Sequence, residues 1–118
     1  MSVKHSKAVP SEPLPVGEGI SKAVLISNQE APNFAMRKFT ILSGGSMPLH
    51  TNQVEHEQYV LKGKALIVID GVSQEVQPGD VVFIPANLPH SYLQIGEEDF
   101  EFLCLVPNQP DQTILIEE

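Results

Sequence analysis

The sequence predicts an all-β domain folded as a sandwich or barrel, and three observations support this prediction. No segment keeps the 3.6-residue apolar period of a helix over a helix's length. Short runs rich in Val, Ile, Leu and Phe recur instead, separated by Gly, Pro, Asn and Asp at intervals of about eight to twelve residues. Asp70-Gly71, a pair typical of two-residue hairpin loops, lies between two such runs. Together these features indicate packed antiparallel strands.

The apolar runs place the strands along the chain. A first strand is predicted in residues 21–27, and residues 28–33 supply turn residues. A second strand follows in residues 34–42, and the glycines and proline of residues 43–48 predict a turn. Two strands joined near Gly63 come next. Further strands are predicted in residues 72–76, 81–86, 90–95, 100–106 and 113–116.

The chain is predicted to contain one domain flanked by two terminal segments. Residues 1–19 are rich in proline and glycine without periodicity, so we expect a flexible N-terminal arm. Residues 20–107 hold the main strands and form the barrel. Residues 108–118 form a C-terminal tail with a short strand. A chain of 118 residues suits a single domain with one core.

Composition and charge narrow the function classes. Hydrophobic residues make up 42% and charged residues 19%, a balance typical of soluble globular proteins. No apolar run approaches the roughly 20 residues of a membrane span, and residues 1–19 lack a signal peptide's apolar core. We therefore expect a cytoplasmic protein, and its single cysteine, Cys104, excludes an internal disulfide. The net charge of −8 disfavours nucleic acid or an anionic membrane as the main partner.

Three of the four histidines lie where strands can bring them together. Side chains alternate along a strand, so His50, His56 and His90 can each point into a barrel from a different strand. Imidazole is the commonest protein ligand for transition metals. A histidine in a strand is, however, more often an ordinary polar or half-buried residue, so spacing alone leaves both interpretations open. His5 lies in the arm and is expected to be solvated.

Alternation also predicts the residues that line the interior beside the histidines. Cys104 is either a small buried apolar residue or a thiol that faces a metal. The opposite face of the same strand, with Leu103 and Leu105, is the alternative lining of the interior. Such a pocket is mainly apolar with a few polar groups, which suits a small organic ligand. The predicted pocket residues are Gln58, Val60, Tyr92, Phe102 and Cys104.

Glycines and prolines in a fixed order around the histidines resemble the two motifs of the cupin superfamily. The first motif is G-x5-H-x-H-x3,4-E-x6-G, and the second is G-x5-P-x-G-x2-H-x3-N. The resemblance covers residues 34–107 and is closest to small single-domain cupins in which a histidine, here His56, takes the first motif's glutamate position. The matching positions are Gly44, His50, Gly63, Gly79, Pro85 and His90.

The resemblance implies a double-stranded β-helix, the jelly-roll barrel of the cupins, with a divalent transition metal inside. It places His50, His56 and His90 on the metal. It places Asn52 at the second histidine of the first motif, as a weak fourth ligand or a hydrogen-bond partner. Neutral ligands without the motif's glutamate favour Mn, Fe, Ni, Zn or Cu over Mg or Ca.

At two positions of the second motif this chain carries a different residue. Asn87 replaces a glycine, and Asn tolerates positive φ better than most residues. Gln94 replaces an asparagine. Because cupins host many reactions, the fold alone does not select one.

We expect a metal-dependent enzyme acting on a small organic molecule, with a dioxygenase-type oxidoreductase first and isomerisation or decarboxylation behind it. The alternative is a non-catalytic module that binds a metal or metabolite. A homodimer is also expected, because the early strand and the apolar tail exceed what one small barrel needs and can pair with a second subunit.

Overall fold

The computed structural model of the chain describes residues 1–117 and is almost entirely β. One 3-10 turn, Ser6–Ala8, precedes the strands, and every strand pair is antiparallel. No helix within residues 1–117 has the length and hydropathy to cross a membrane. The strands are β1 (Glu12–Pro13), β2 (Glu18–Ile26), β3 (Phe34–Thr51), β4 (His56–Lys62), β5 (Lys64–Ile69), β6 (Val72–Val76), β7 (Val81–Ile84), β8 (His90–Ile95), β9 (Phe100–Pro107) and β10 (Ile114–Leu115).

The strands form one sheet that curls around a shared interior. Its order is β6-β5-β8-β3-β9-β4-β7, with β2 and β10 also paired to β3 and β1 paired to β2. Strands that are not neighbours in the sheet meet inside, since Gln58 of β4 donates a hydrogen bond to Tyr92 of β8 at 2.7 Å. This curled antiparallel sheet confirms the predicted all-β jelly-roll barrel, the double-stranded β-helix. The central core residues are Ile20, Ile41, Met47, Val60, Ala65, Ile67, Val76, Ile84, Tyr92, Phe100, Phe102 and Cys104.

The turn predicted in residues 43–48 is wrong, because β3 runs through this segment without reversing. Ile41, before the segment, pairs with Ile20 of β2, and Ser46, within it, pairs with Leu93 of β8. Gly44 has a φ of 84°, which glycine adopts without strain. A side chain at residue 45 would collide with the carbonyl oxygen of Glu18. The two glycines therefore lie at a register shift, where the partner of β3 changes from β9 to β8.

The hairpin predicted at Asp70-Gly71 is confirmed. Ile69 pairs with Val72, which leaves a two-residue loop between β5 and β6. Asp70 and Gly71 have φ angles of 49° and 80°, as a type I′ turn requires. The residues of the loop themselves therefore set the register of this hairpin.

The terminal segments pair within their own chain. β2 pairs along β3 and buries Ile20, Ala23 and Leu25, so it belongs to the barrel. β1 pairs with β2, and β10 pairs with the end of β3. The homodimer prediction assumes that the early strand and the apolar tail are free to pair with a second subunit, and that support is lost. The homodimer stays a prediction. The division into arm, barrel and tail also stays a prediction.

Candidate metal centre

Three histidines meet at one end of the barrel interior. His50 lies near the end of β3, while His56 and His90 are the first residues of β4 and β8. His50 and His90 are register partners, and their ring centroids are 4.1 Å apart. The rings of His56 and His90 are 5.8 Å apart, and all three side chains are buried. The structure thus brings together the three histidines selected from the sequence.

Backbone carbonyls determine which imidazole nitrogen stays free. His50 Nδ1 lies 2.9 Å from the Pro48 carbonyl oxygen, and His90 Nδ1 lies 2.9 Å from that of Leu88. A carbonyl oxygen only accepts, so each Nδ1 carries the proton and each Nε2 keeps its lone pair. The Nε2 atoms of His56 and His90 are buried and have no hydrogen-bond partner in the part of the chain that the structure describes. Buried polar atoms are rarely left this way, and a metal ion would satisfy them.

Burial keeps these imidazoles neutral. Desolvation, with a smaller contribution from the charge of Arg37, lowers the pKa of His56 to about 3. Desolvation also lowers the pKa of His90 to about 4 and lowers the pKa of His50. Neutral imidazole is the form that binds metals, so the histidines have free lone pairs at neutral pH.

The donor atoms are of the types that bind a transition metal, although their side chains are not arranged in a coordination geometry. Among residues 1–117, no group of three or more His, Cys, Asp or Glu side chains converges in a geometry that would hold an ion as it stands. The available donors are three imidazoles and the Oδ1 atom of Asn52, which is also buried without a partner. Binding an ion here therefore requires the side chains to adjust.

The C-terminal tail orients Asn52. Its Nδ2 atom donates to Asp111 Oδ2 at 3.2 Å and to Thr113 Oγ1 at 2.9 Å. Asp111 Oδ1 accepts a further hydrogen bond from the backbone N–H of Gln53 at 2.6 Å. Because both amide hydrogens face the tail, the amide oxygen is left for another partner.

A cavity of about 390 Å³ opens beside the histidines. Its size lies near the lower end for small-molecule pockets. Phe102 stacks on Phe39 and on Tyr92, with ring centroids 5.3 Å apart in both pairs. The aromatic stack suits a flat or apolar ligand. The lining residues are Leu14, Pro15, Val16, Ile20, Lys22, Arg37, Phe39, Ile41, Met47, His50, Asn52, His56, Gln58, His90, Tyr92, Phe102, Asp111, Thr113 and Leu115.

Of the predicted pocket residues, Gln58, Tyr92 and Phe102 line this cavity. Val60 and Cys104 face the same interior but lie in the packed core and not on the cavity wall. Cys104 is covered because its Sγ atom lies 3.2 Å from Arg37 Nη2 and 3.6 Å from Gln58 Nε2. It is also 3.5 Å from His56 Nδ1, so it supports that ring from behind.

Tyr92 offers a neutral hydroxyl beside the histidines. Complete burial raises the pKa of Tyr92 well above its usual value. Its oxygen accepts the hydrogen bond from Gln58 Nε2, so its own proton remains for another acceptor. A bound substrate oxygen is one such acceptor.

The two substituted positions of the second motif have structural roles. Asn87 has a φ of 68°, which confirms that asparagine meets the backbone requirement of the motif's glycine. Its N–H donates to the Asn52 carbonyl at 2.8 Å and so links the two motif segments. Gln94 is buried. Its amide accepts a hydrogen bond from the N–H of Gly44 and donates to the carbonyl oxygens of Ile95, Gly96 and Glu98. Gln94 therefore braces the loop after β8 and does not line the cavity.

Four polar residues of the cavity were missed from the sequence: Lys22, Arg37, Asp111 and Thr113. Alternation with the buried Ala35 and Ile41 on β3 offered a signal for Arg37. The tail carries no comparable signal, because its position depends on contacts with residues about sixty positions earlier in the chain.

Comparisons with known proteins agree with this architecture. The family described as Cupin domain matches residues 37–106, more than half of the chain. The crystal structure of the polyketide cyclase RemF from Streptomyces resistomycificus superposes with a TM-score of 0.88 at 29% identity, covering 100% of this chain and 88% of that one.

Two curated relatives extend the comparison. An oxalate-binding protein of Thermotoga maritima is 29% identical over 94 residues, 76% of this chain and 78% of its own length. An uncharacterized protein of Methanocaldococcus jannaschii is 34% identical over 62 residues, 52% of this chain. The aligned segment spans 50% of the latter protein's length. Of these two relatives, one is named for oxalate binding and the other has no named activity.

Proposed function

Because the chain belongs to the cupin domain family, we propose that it is a metal-dependent enzyme acting on a small organic molecule. The observation that carries this proposal is the pair of buried, unpartnered Nε2 atoms of His56 and His90 beside a cavity of about 390 Å³. His50 and the Asn52 amide oxygen complete the donor set. Mn, Fe, Ni, Zn or Cu suits such neutral donors.

The residues around the donors have distinct tasks in this proposal. A divalent ion bound here would supply Lewis-acid chemistry or a binding position for O2. The carbonyls of Pro48 and Leu88 orient two of the imidazoles, and Cys104 supports the third. The aromatic stack excludes water and positions the substrate, while the Tyr92 hydroxyl donates a hydrogen bond to it.

Two reaction classes remain candidates. Oxidation by O2, as a dioxygenase, follows from a site with open ligand positions. Activation of a carbonyl without O2 has a specific observation in its favour: one solved structure that is similar over 100% of this chain is that of a polyketide cyclase. The aromatic stack suits a flat carbonyl compound equally well.

The deciding experiment is turnover measured with and without O2. The untagged chain is first analysed for metals and then loaded with a transition metal. The loaded chain is incubated with diketones, catechols and small aromatic carboxylates, under air and under nitrogen. Turnover that needs both metal and O2 supports the dioxygenase, and metal-dependent turnover under nitrogen supports carbonyl activation. Failure to bind any transition metal would overturn the proposal.

A non-catalytic binding module is the second candidate function. The oxalate-binding protein of Thermotoga maritima, matched over most of both chains, favours it. Ligand binding to the metal-loaded chain without turnover of any compound would support this candidate instead.

A further inference from the structure

Two cationic side chains share the wall of the cavity. Lys22 lies on β2 and Arg37 on β3, and both line the cavity together with the three histidines. Lys22 is the register partner of Phe39, two residues from Arg37, so the two cations are diagonal neighbours on one face of the sheet. Their charges are therefore concentrated on one side of a mainly apolar space.

Neither cation forms an ion pair with a carboxylate of the described residues, although Glu12, the register partner of Lys22 on β1, raises the pKa of Lys22. The ion pairs within residues 1–117 are Lys4–Glu30, Lys38–Glu101 and Lys62–Glu101, and no carboxylate lies within 4.0 Å of Lys22 or Arg37. Asp111, the acidic residue among those lining the cavity, is bound by Asn52 and Gln53 instead. In a chain with fifteen acidic and seven basic residues, two unpaired cations in a cavity call for an explanation.

The guanidinium of Arg37 is fixed in place but incompletely satisfied. Its Cζ atom lies 5.0 Å from the centroid of the Phe39 ring, and its Nη2 atom donates to Cys104 Sγ at 3.2 Å. Its Nε atom is buried with no hydrogen-bond partner among residues 1–117. An unpaired buried donor is unfavourable, so a water molecule or a ligand is expected to complete its bonding.

The environment of Lys22 favours an anion beside it. Burial, and next the charge of Arg37, lower the pKa of Lys22, while Glu12 raises it less. A bound anion would relieve the repulsion between the two cations.

We infer that Lys22 and Arg37 form a subsite that binds the carboxylate of the substrate. The aromatic stack of Phe39, Phe102 and Tyr92 holds the substrate's apolar body. This inference rests on the proposed function, since it names the substrate class of the same cavity: a small, largely apolar carboxylic acid. A guanidinium and an ammonium are the side chains that recognise such a group.

The test compares benzoate with benzamide, which has the same shape and no charge. Calorimetry uses the full chain, first as purified with its metal content recorded and then after chelation. Benzoate should bind about tenfold or more tightly than benzamide in both preparations. Arg37→Gln and Lys22→Gln should each weaken benzoate binding by about tenfold and leave benzamide binding unchanged.

Lys38→Gln is the matched control. It removes the same charge one residue from Arg37, but Lys38 is paired with Glu101 at 3.5 Å and does not line the cavity. Its benzoate affinity should equal that of the unaltered chain. If Arg37→Gln fails to fold, Lys22→Gln carries the test alone.

Three results would overturn the inference. They are no benzoate binding by the unaltered chain, equal losses for benzoate and benzamide, or the same loss in Lys38→Gln. The outcome is separate from that of the proposed function, because a chain that binds no metal would still prefer benzoate in the chelated preparation.

Discussion

The histidines can be tested one at a time. His50→Ala, His56→Ala and His90→Ala should each lower the transition-metal content sharply, because each removes one of three imidazole donors. Elemental analysis of untagged protein measures this. His5→Ala is the control, since His5 is an exposed residue that precedes the N-terminal 3-10 turn, where its Nδ1 atom accepts a hydrogen bond from Lys7 N–H. Full metal retention by His56→Ala would remove His56 from the ligand set.

Asn52 should weaken the metal site compared with a histidine at the same position. Asn52→His replaces an amide oxygen by an imidazole nitrogen, so the metal affinity should rise by about tenfold or more. Competition with a chromophoric chelator measures the affinity. An unchanged value would mean that residue 52 does not face the metal. The substitution also removes the hydrogen bonds to Asp111 and Thr113, so the tail should loosen in the same variant.

The lowered histidine pKa values make the metal-free protein sensitive to acid. An unfolded histidine binds a proton near pH 6.5, whereas folded His56 and His90 do so only near pH 3 and 4. In this window the unfolded state binds more protons, so the free energy of unfolding decreases as the pH is lowered, by up to about 1.4 kcal/mol per pH unit for each histidine. Urea unfolding between pH 6.5 and 5 measures the slope, which should be smaller in His56→Gln. A flat profile would show that these imidazoles protonate freely in the folded chain.

Among the strands, β10 of the tail is anchored by the Asp111 carboxylate. Asp111 binds Asn52 Nδ2 and Gln53 N–H, just before β10 pairs with β3. Asp111→Ala should therefore accelerate hydrogen exchange at Ile116, whose N–H donates to the Leu49 carbonyl. Asp99→Ala is the matched control, because Asp99 also caps a backbone N–H of β3, that of Ser43. Equal exchange at Ile116 in both variants would contradict this role.

Local signals predicted most strands, but not the path of β3. Asp70-Gly71 specifies its hairpin because both residues adopt positive φ within the loop itself. Gly44-Gly45 looks equally like a turn in the sequence, yet its outcome depends on Glu18, which approaches residue 45 from another strand. Such a contact is non-local, so the sequence pattern of residues 43–48 did not reveal it.

The site, like the fold, was predictable from the sequence only where local signals determine it. Strand alternation and motif spacing predicted that His50, His56 and His90 share the interior. Strand alternation also predicted Gln58, Tyr92 and Phe102 beside them, and all six residues line the cavity. The polar contacts of Asn52 come from the tail, about sixty residues later, and no periodicity reports them. The cytoplasmic location stays a prediction.

For the whole molecule, the free sheet edges keep the homodimer a testable prediction. The strand order ends at β6 and β7, and on β7 Val81 and Phe83 are 75% and 58% exposed. Unpaired edges with apolar side chains are often covered by a second copy. Light scattering at micromolar concentration should give twice the 12.9 kDa chain mass, and Phe83→Lys should reduce it. A single species at the chain mass for the unaltered protein would refute the dimer.

The long strand β3 also has a consequence for how the chain is made. Its first half pairs with β9 and its second half with β8 and β10, all of which are encoded in the last third of the chain. Phe100, Phe102 and Cys104 of β9 are core residues, so a ribosome-bound chain that ends before them exposes the inner face of β3. The barrel is therefore completed only after β9 has been synthesised. Until then the nascent chain exposes apolar surface, which favours aggregation.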